Sequence, residues 1–185
     1  MPTRSGSDSR QAILAAARAR FAEHGYAAAT VRAIAADAGI DPAMVIRYFG
    51  SKANLFALVA DIDLRIPDLH LVPRAELGRI LVGHFLDRWE GNDDVLLLLL
   101  RSAAVERKAA DRMRALFAGQ LVPAIATVLA DPQEAGCRAG LIATQMLGLA
   151  LARSVLRLDH VVELDRDDLV DHVGETIQRY LDRPL

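Results

Sequence analysis

Five histidines, one cysteine and a run of aspartates are the residues of this chain best able to ligate a metal or move a proton. His24, His70, His84, His160 and His172 are scattered. None pairs with Cys, Asp or Glu at convincing metal-ligand spacing, though His84 and Asp87 stand at helical i, i+3 spacing. That is half of a zinc ligand set, which needs three or four donors. The bland alternative is a hydrogen-bonded histidine at a helix seam. Asp165, Asp167, Asp168 and Asp171 read as carboxylates complementing the positive end of a helix dipole. Cys137 has no partner cysteine in the chain, which rules out an intramolecular disulfide and fits a reducing compartment. There is no glycine-rich phosphate loop after a strand, no serine elbow and no HExxH. No catalytic residue, metal or cofactor is expected.

A different chemistry gathers between Thr30 and Lys52, where the chain reads TVRAIAADAGIDPAMVIRYFGSK. Thr30 is a good N-cap, and Val31, Ile34, Ala35 and Ala38 fall on one helical face. Gly39 supplies the positive φ that ends a helix. Asp41-Pro42 starts a second helix, Gly50 ends it, and Ser51 caps a third. Helix, short glycine turn, helix is an arrangement whose second helix enters the DNA major groove. Thr30 and Arg32 sit at the first helix's start, where backbone amides and the dipole favour phosphate. Arg47 and Tyr48 are the groove candidates, with packing inside the head as the alternative for Tyr48.

The helices that must position these residues follow from composition. Apolar residues make up 52% of the 185, rich in Ala, Leu and Val, enough for a sizeable core and favouring an all-α fold. Residues 1–52 carry seven Lys or Arg against four Asp or Glu, a net +3, and the remainder carries −5. A basic head on an acidic body suits a phosphate-facing N-terminus. Residues 1–10 lack the apolar core of a signal peptide. The apolar runs Val95–Leu100 and Ala139–Ala152 fall short of a membrane span, so a cytoplasmic protein with no membrane partner is expected.

In chain order, residues 1–8 are expected to be mobile. Helix one runs from about Ser9 to His24, burying Ile13, Leu14, Ala17 and Phe21. Helix four is expected from Ser51 to Ile66, stopping before Pro67, with the domain transition inside it near residue 53. Helix five covers about 74–89, then Gly91-Asn92 breaks it and Asn92 or Asp93 caps helix six, to Val105. Helix seven covers 109–129, bent at Pro123. Helix eight runs from Asp131-Pro132 to Leu158, and helix nine from Arg166 to Leu181 after a loop at 159–165. The expectation is about nine helices: a helix-turn-helix domain at 1–52 and an effector-binding and dimerisation domain at 53–185.

Residues 10–56 carry a resemblance. The helix Ile13–His24, Gly25-Tyr26, Thr30-Val31-Arg32, Ile34-Ala35, Ala38-Gly39, Arg47-Tyr48-Phe49 and Ser51-Lys52 resemble the N-terminal domain of the tetracycline-repressor (TetR) family. The chain departs where that family often has Ser-x-Gly-Thr-Leu-Tyr: here stand Asp41-Pro42-Ala43-Met44-Val45-Ile46, with Ile46 in the tyrosine's place. Few side chains able to bond base edges remain, so the operator sequence is not readable. The resemblance implies a phosphate contact for Lys52, a homodimer on a palindromic double-stranded operator, and repression as the commoner mode. It also implies that helices eight and nine form the dimer interface, Gly140, Ala143, Gly148 and Ala152 on one, Leu169, Val173, Ile177 and Tyr180 on the other; the alternative is that these stripes face only the chain's own core.

Helices five to eight offer more apolar surface than the head needs. Phe85, Trp89, Met113, Phe117 and Met146 suggest a pocket for an apolar or amphipathic small-molecule effector, with His84, Gln145 and Arg153 as polar lining. The competing readings are a small helical enzyme or ligand carrier that does not touch DNA, and a protein-interaction module.

Overall fold

The computed structural model describes residues 6–59, 62–90, 94–104 and 107–184. The cap expected at Asn92 or Asp93, and the mobility expected of residues 1–5, lie outside them. Residues 6–8 are helical. The described residues are all-helical, with no strand among them. They form two compact units, residues 1–62 with 98–112, and residues 63–97 with 113–185.

The first unit begins with α1 (Gly6–Ala28), which Gly25 breaks at φ 72°, ψ 172°. It continues with α2 (Val31–Ala38), α3 (Pro42–Phe49) and α4 (Lys52–Val59). Each short helix is closed by a neighbour in sequence. Thr30 Oγ1 accepts from the Ala33 amide at 3.1 Å, Asp41 Oδ1 from Ala43 at 2.7 Å, and Ser51 Oγ from Asn54 at 3.0 Å. Gly39 lies at φ 64°, a left-handed conformation that a Cβ would strain, and its amide returns to the last turn of α2. Ile13, Ala17, Ile34, Val45, Phe49 and Leu55 fill the core.

The boundary expected at residue 53 is corrected. Leu55 and Val59 lie in the same core as Ile13 and Phe21, so α4 belongs to the first unit. Nor does α4 reach Ile66: it ends at Val59, and residues 62–68 are irregular, with Arg65 at φ 50°.

The second unit is built on α5 (Leu77–Glu90), α9 (Ala135–Ala150) and α11 (Arg166–Asp182). Between them come α6 (Asp94–Ala103), α7 (Arg107–Leu116), α8 (Val122–Ala126) and the short α10 (Asp159–Val162), the last where a loop was expected. Helices α6 and α7 are divided between the units. A π-helical turn at Phe117–Leu121 joins α7 to α8 just ahead of Pro123. Pro123 has no N–H to return to residue 119, and the wider turn absorbs that loss.

Helix α9 is prolonged by a 3-10 turn at Pro132–Glu134 and a π turn at Leu151–Val155. The resulting 24-residue run is, by length and composition, long and apolar enough to cross a membrane, which corrects the shorter run expected. Ile142, Ala143 and Met146 of this run lie in the second unit's core. Near its start Arg138, 5% exposed, pairs with Glu134 and donates to the carbonyls of Tyr180 and Arg183. These carbonyls belong to the end of α11, where a helix leaves acceptors without intrahelical partners.

Helices α5 and α11 touch through glycines. A Cβ on Gly78 would stand 2.2 Å from the Gly174 carbonyl oxygen, and one on Gly174 3.1 Å from the Arg79 backbone. No other residue fits such a crossing without moving a helix.

Candidate functional site

In the first unit α3 turns one face outward. Val45 and Phe49 are buried, and Ala43, Ile46 and Arg47 are exposed at i, i+3, i+4 spacing. Ile46, 45% exposed, is an apolar group on that face. Sequence reasoning passed over it by counting only hydrogen-bonding side chains, yet an apolar contact to the thymine methyl also reads sequence. Thr30 and Arg32 are exposed at the start of α2. Tyr48 is half-buried and packs against the core, and a Cβ on Gly6 would lie 3.5 Å from its hydroxyl.

Lys52 was expected to face phosphate, and its placement differs. Its ammonium donates to the carbonyls of Tyr26 at 2.7 Å and Ala29 at 2.9 Å, and lies 4.3 Å from the centre of the Tyr26 ring. Two of the ammonium's three N–H bonds are thereby spent at the C-terminal end of α1, where acceptors are unpaired and the helix dipole favours a cation. Lys52 ties α4 to the end of α1. Across the unit Arg20 forms a two-pronged pair with Asp37, joining α1 to α2. Arg20's hydrogen bond holds the Asp37 carboxyl below its ordinary value of 3.8. Asn54 Oδ1 accepts from the hydroxyl of Ser102, 3% exposed, at 2.9 Å, attaching residues 98–112 to α4.

In the second unit His84, Phe85, Trp89, Met113, Phe117 and Met146 all line one cavity. Gln145 does not: its amide donates to the Tyr180 hydroxyl at 3.1 Å. Arg153 is likewise elsewhere, donating to the Val161 carbonyl at 2.7 Å. The cavity measures about 60 Å³ and its walls are almost wholly apolar. Phe85 and Trp89 form a stacked pair with ring centres 4.9 Å apart. Leu64 and Ile66, assigned from the sequence to helix four, cover the cavity from an irregular strap.

Three side chains latch that strap. His84 Nε2 donates to the Leu64 carbonyl at 2.8 Å, Arg88 to the Asp63 carbonyl at 2.7 Å, and Gln120 Oε1 accepts from the Leu64 amide at 2.6 Å. Within the strap Asp63 Oδ1 accepts from the Arg65 amide at 2.9 Å, the local bond that accompanies Arg65's left-handed backbone.

The residues expected at a dimer interface divide. Leu169 and Ile177 are 3% and 0% exposed in the second unit's own core, and Ala143 lines the cavity. The stripe on α11 was read correctly as apolar, but the chain itself buries it. Val173 and Tyr180 are half-buried against that core, and Ala152 is half-buried. Gly140 and Gly148 are exposed, and a Cβ at either would meet nothing within 4 Å. Among the described residues no group of three or more His, Cys, Asp or Glu is placed to hold a metal.

Comparison with known proteins bears on both units. Residues 13–59 match the family described as bacterial regulatory proteins, tetR family, and residues 75–181 the tetracyclin repressor-like C-terminal domain. A TetR-family regulator from Streptomyces coelicolor is 30% identical, covering 99% of this chain and 100% of that one, with a TM-score of 0.50. NalD of Pseudomonas aeruginosa, secondary repressor of the MexAB-OprM multidrug efflux pump, is 20% identical over 97% of this chain and 98% of its own, at a TM-score of 0.51, a likeness of fold. The transcriptional repressor AcnR of Corynebacterium glutamicum is 46% identical over 57 residues. That match spans 31% of this chain and 30% of AcnR.

Proposed function

The chain belongs to the TetR family of DNA-binding bacterial transcriptional regulators, and from that premise we propose that it is a cytoplasmic repressor, binding a palindromic operator as a homodimer and released by a small apolar effector. The observation carrying the DNA-binding part is the outward face of α3, with Ala43, Ile46 and Arg47 presented by a capped helix in a helix-turn-helix unit. Arg47 suits a guanine edge, Ile46 suits a thymine methyl, and Tyr48 supports the face from its half-buried position. Thr30 and Arg32 suit phosphates beside it. Lys52 acts by holding the unit together. The reading assigns no catalytic activity to the chain.

A gel shift with the duplex flanking the coding sequence tests this. Wild type should bind, and Arg47→Ala should lose roughly 1–3 kcal/mol and relax base preference at one position. No shift with any flanking duplex would favour a ligand-binding protein that does not touch DNA.

Dimerisation follows from geometry: two recognition helices must lie about 34–36 Å apart, and one chain supplies one. The open glycines Gly140 and Gly148 on α9, with Val173 and Tyr180 of α11 at its margin, are the surface we assign to it. Gly140→Arg with Gly148→Arg should sediment as a monomer and lose operator binding; a dimeric double variant would place the interface elsewhere.

The cavity of the second unit supports the effector part. The effector must bind better to the state that does not fit DNA, so operator must weaken effector binding by the same factor. Tenfold derepression needs about 1.4 kcal/mol of coupling.

A further inference from the structure

We propose that the effector is a neutral, mostly apolar molecule carrying one carbonyl-type hydrogen-bond acceptor, which takes the indole N–H of Trp89. The proposal rests on the reading of the cavity as the effector site. The cationic groups at the cavity hold the strap: His84 and Arg88 each donate to one of its carbonyls. A neutral ligand leaves those bonds in place, whereas a carboxylate would exchange its hydration for an almost wholly apolar wall. The rest of the lining is hydrocarbon, aromatic ring or thioether.

Among the lining groups not engaged with the strap, Trp89 carries a polar atom. It lines the cavity, its Nε1 is buried, and that atom has no hydrogen-bond partner among the described residues. A buried donor left unpaired costs free energy that an acceptor restores on binding. The stacked Phe85–Trp89 pair offers a flat wall, which favours a ring over a flexible chain.

The cavity of about 60 Å³ is smaller than the roughly 150 Å³ that holds a benzene ring. A ligand must therefore widen it. Met113 and Met146 line it, and their flexible thioether chains are the groups that yield at least cost.

The test uses three probes built on one ring: acetophenone, ethylbenzene and benzoate. Trp89 is the chain's sole tryptophan, so its fluorescence reports the site directly. Ligand-observed NMR extends the measurement to variants lacking it. Acetophenone should bind saturably to the full-length protein, and ethylbenzene about tenfold more weakly, the scale of one neutral hydrogen bond. Benzoate should be the weakest. In Trp89→Phe, acetophenone and ethylbenzene should become equal, and Met146→Trp should abolish binding of both by filling the cavity. The wild-type comparison decides the matter even if Trp89→Phe fails to fold. Equal affinities for acetophenone and ethylbenzene, or benzoate binding tightest, would overturn the acceptor and leave the cavity as the effector site. No saturable binding by any probe would overturn both.

Discussion

Both units cap helices locally, the second through Asp68, Asp131 and Asp165, but the second also holds an irregular strap from far along the chain. In the first, Thr30, Asp41 and Ser51 serve amides two or three residues away. In the second, Leu64 is held from Gln120 and His84, and the end of α11 is held by Arg138, more than forty residues earlier. A unit closed by neighbours can be small and still well formed, because each cap costs little chain entropy to bring together. A unit closed at long range leaves segments such as the strap dependent on the whole of its packing. The first suits a surface that must keep its shape, and the second suits an interior that must change.

The sharpest way to break this contrast is Gly78→Val. Its side chain would collide with the backbone of α11, so the second unit should lose more than about 4 kcal/mol in denaturant titration, an exceptional value for one substitution. Gly140→Val, with open space around it, should cost far less in the monomer. Similar losses would show that the crossing of α5 and α11 is not the second unit's tight point.

Arg138→Met comes next. Removing a buried charge that serves Glu134 and two carbonyls should cost about 3–5 kcal/mol, and Arg138→Lys should recover only part. A loss below that range would mean that long-range closure matters less than its burial suggests.

Lys52→Met separates a clamp from a phosphate contact. A clamp predicts a loss of roughly 1–3 kcal/mol in stability, from charged hydrogen bonds to carbonyls, and weaker DNA binding with an unchanged salt slope. A slope shallower by about one, with stability intact, would return Lys52 to the phosphate backbone.

The smallest effect concerns Arg20 and Asp37. Asp37's carboxyl is held below its ordinary 3.8, so the pair's contribution is complete above that value and disappears as pH falls through the lower folded value. Arg20→Met should lower Tm slightly at pH 7, and the difference from wild type should shrink in acid. A difference that grows in acid would contradict the sign.

These particulars explain what could be read from the residues alone. The caps of α2, α3 and α4 were legible because each side chain lies beside the amide it serves. The same locality made Arg32 and Arg47 legible as exposed head cations. The end of α4 was not: Leu58, Val59, Ile62 and Ile66 continue a helical apolar pattern up to Pro67, while the chain spends Ile62 as a buried residue of the first unit and Ile66 on the cavity. The apolar stripe of α11 was legible as a stripe, but whether Ile177 faces its own core or another copy depends on neighbours a hundred residues away. Gln145 failed for the related reason that a helix's phase is not fixed until its packing is. The Gly78–Gly174 crossing left no local signal, since a glycine inside a helix looks like a blemish until its partner is known.

The π turn at Phe117–Leu121 has a consequence for how such a chain can diversify. It holds one residue more than a regular helix would need over the same rise, so deleting Gly119 could restore ordinary winding without breaking the rod. The turn takes up its extra residue as a bulge, so the helical residues before it and after it would keep their phase. Met113 would stay on the cavity wall, and the cost would fall on Pro123, whose ring would then sit in a regular helix. One codon lost there would weaken the rod at Pro123 without changing what the interior accepts, and α2 and α3 would keep every residue they present outward.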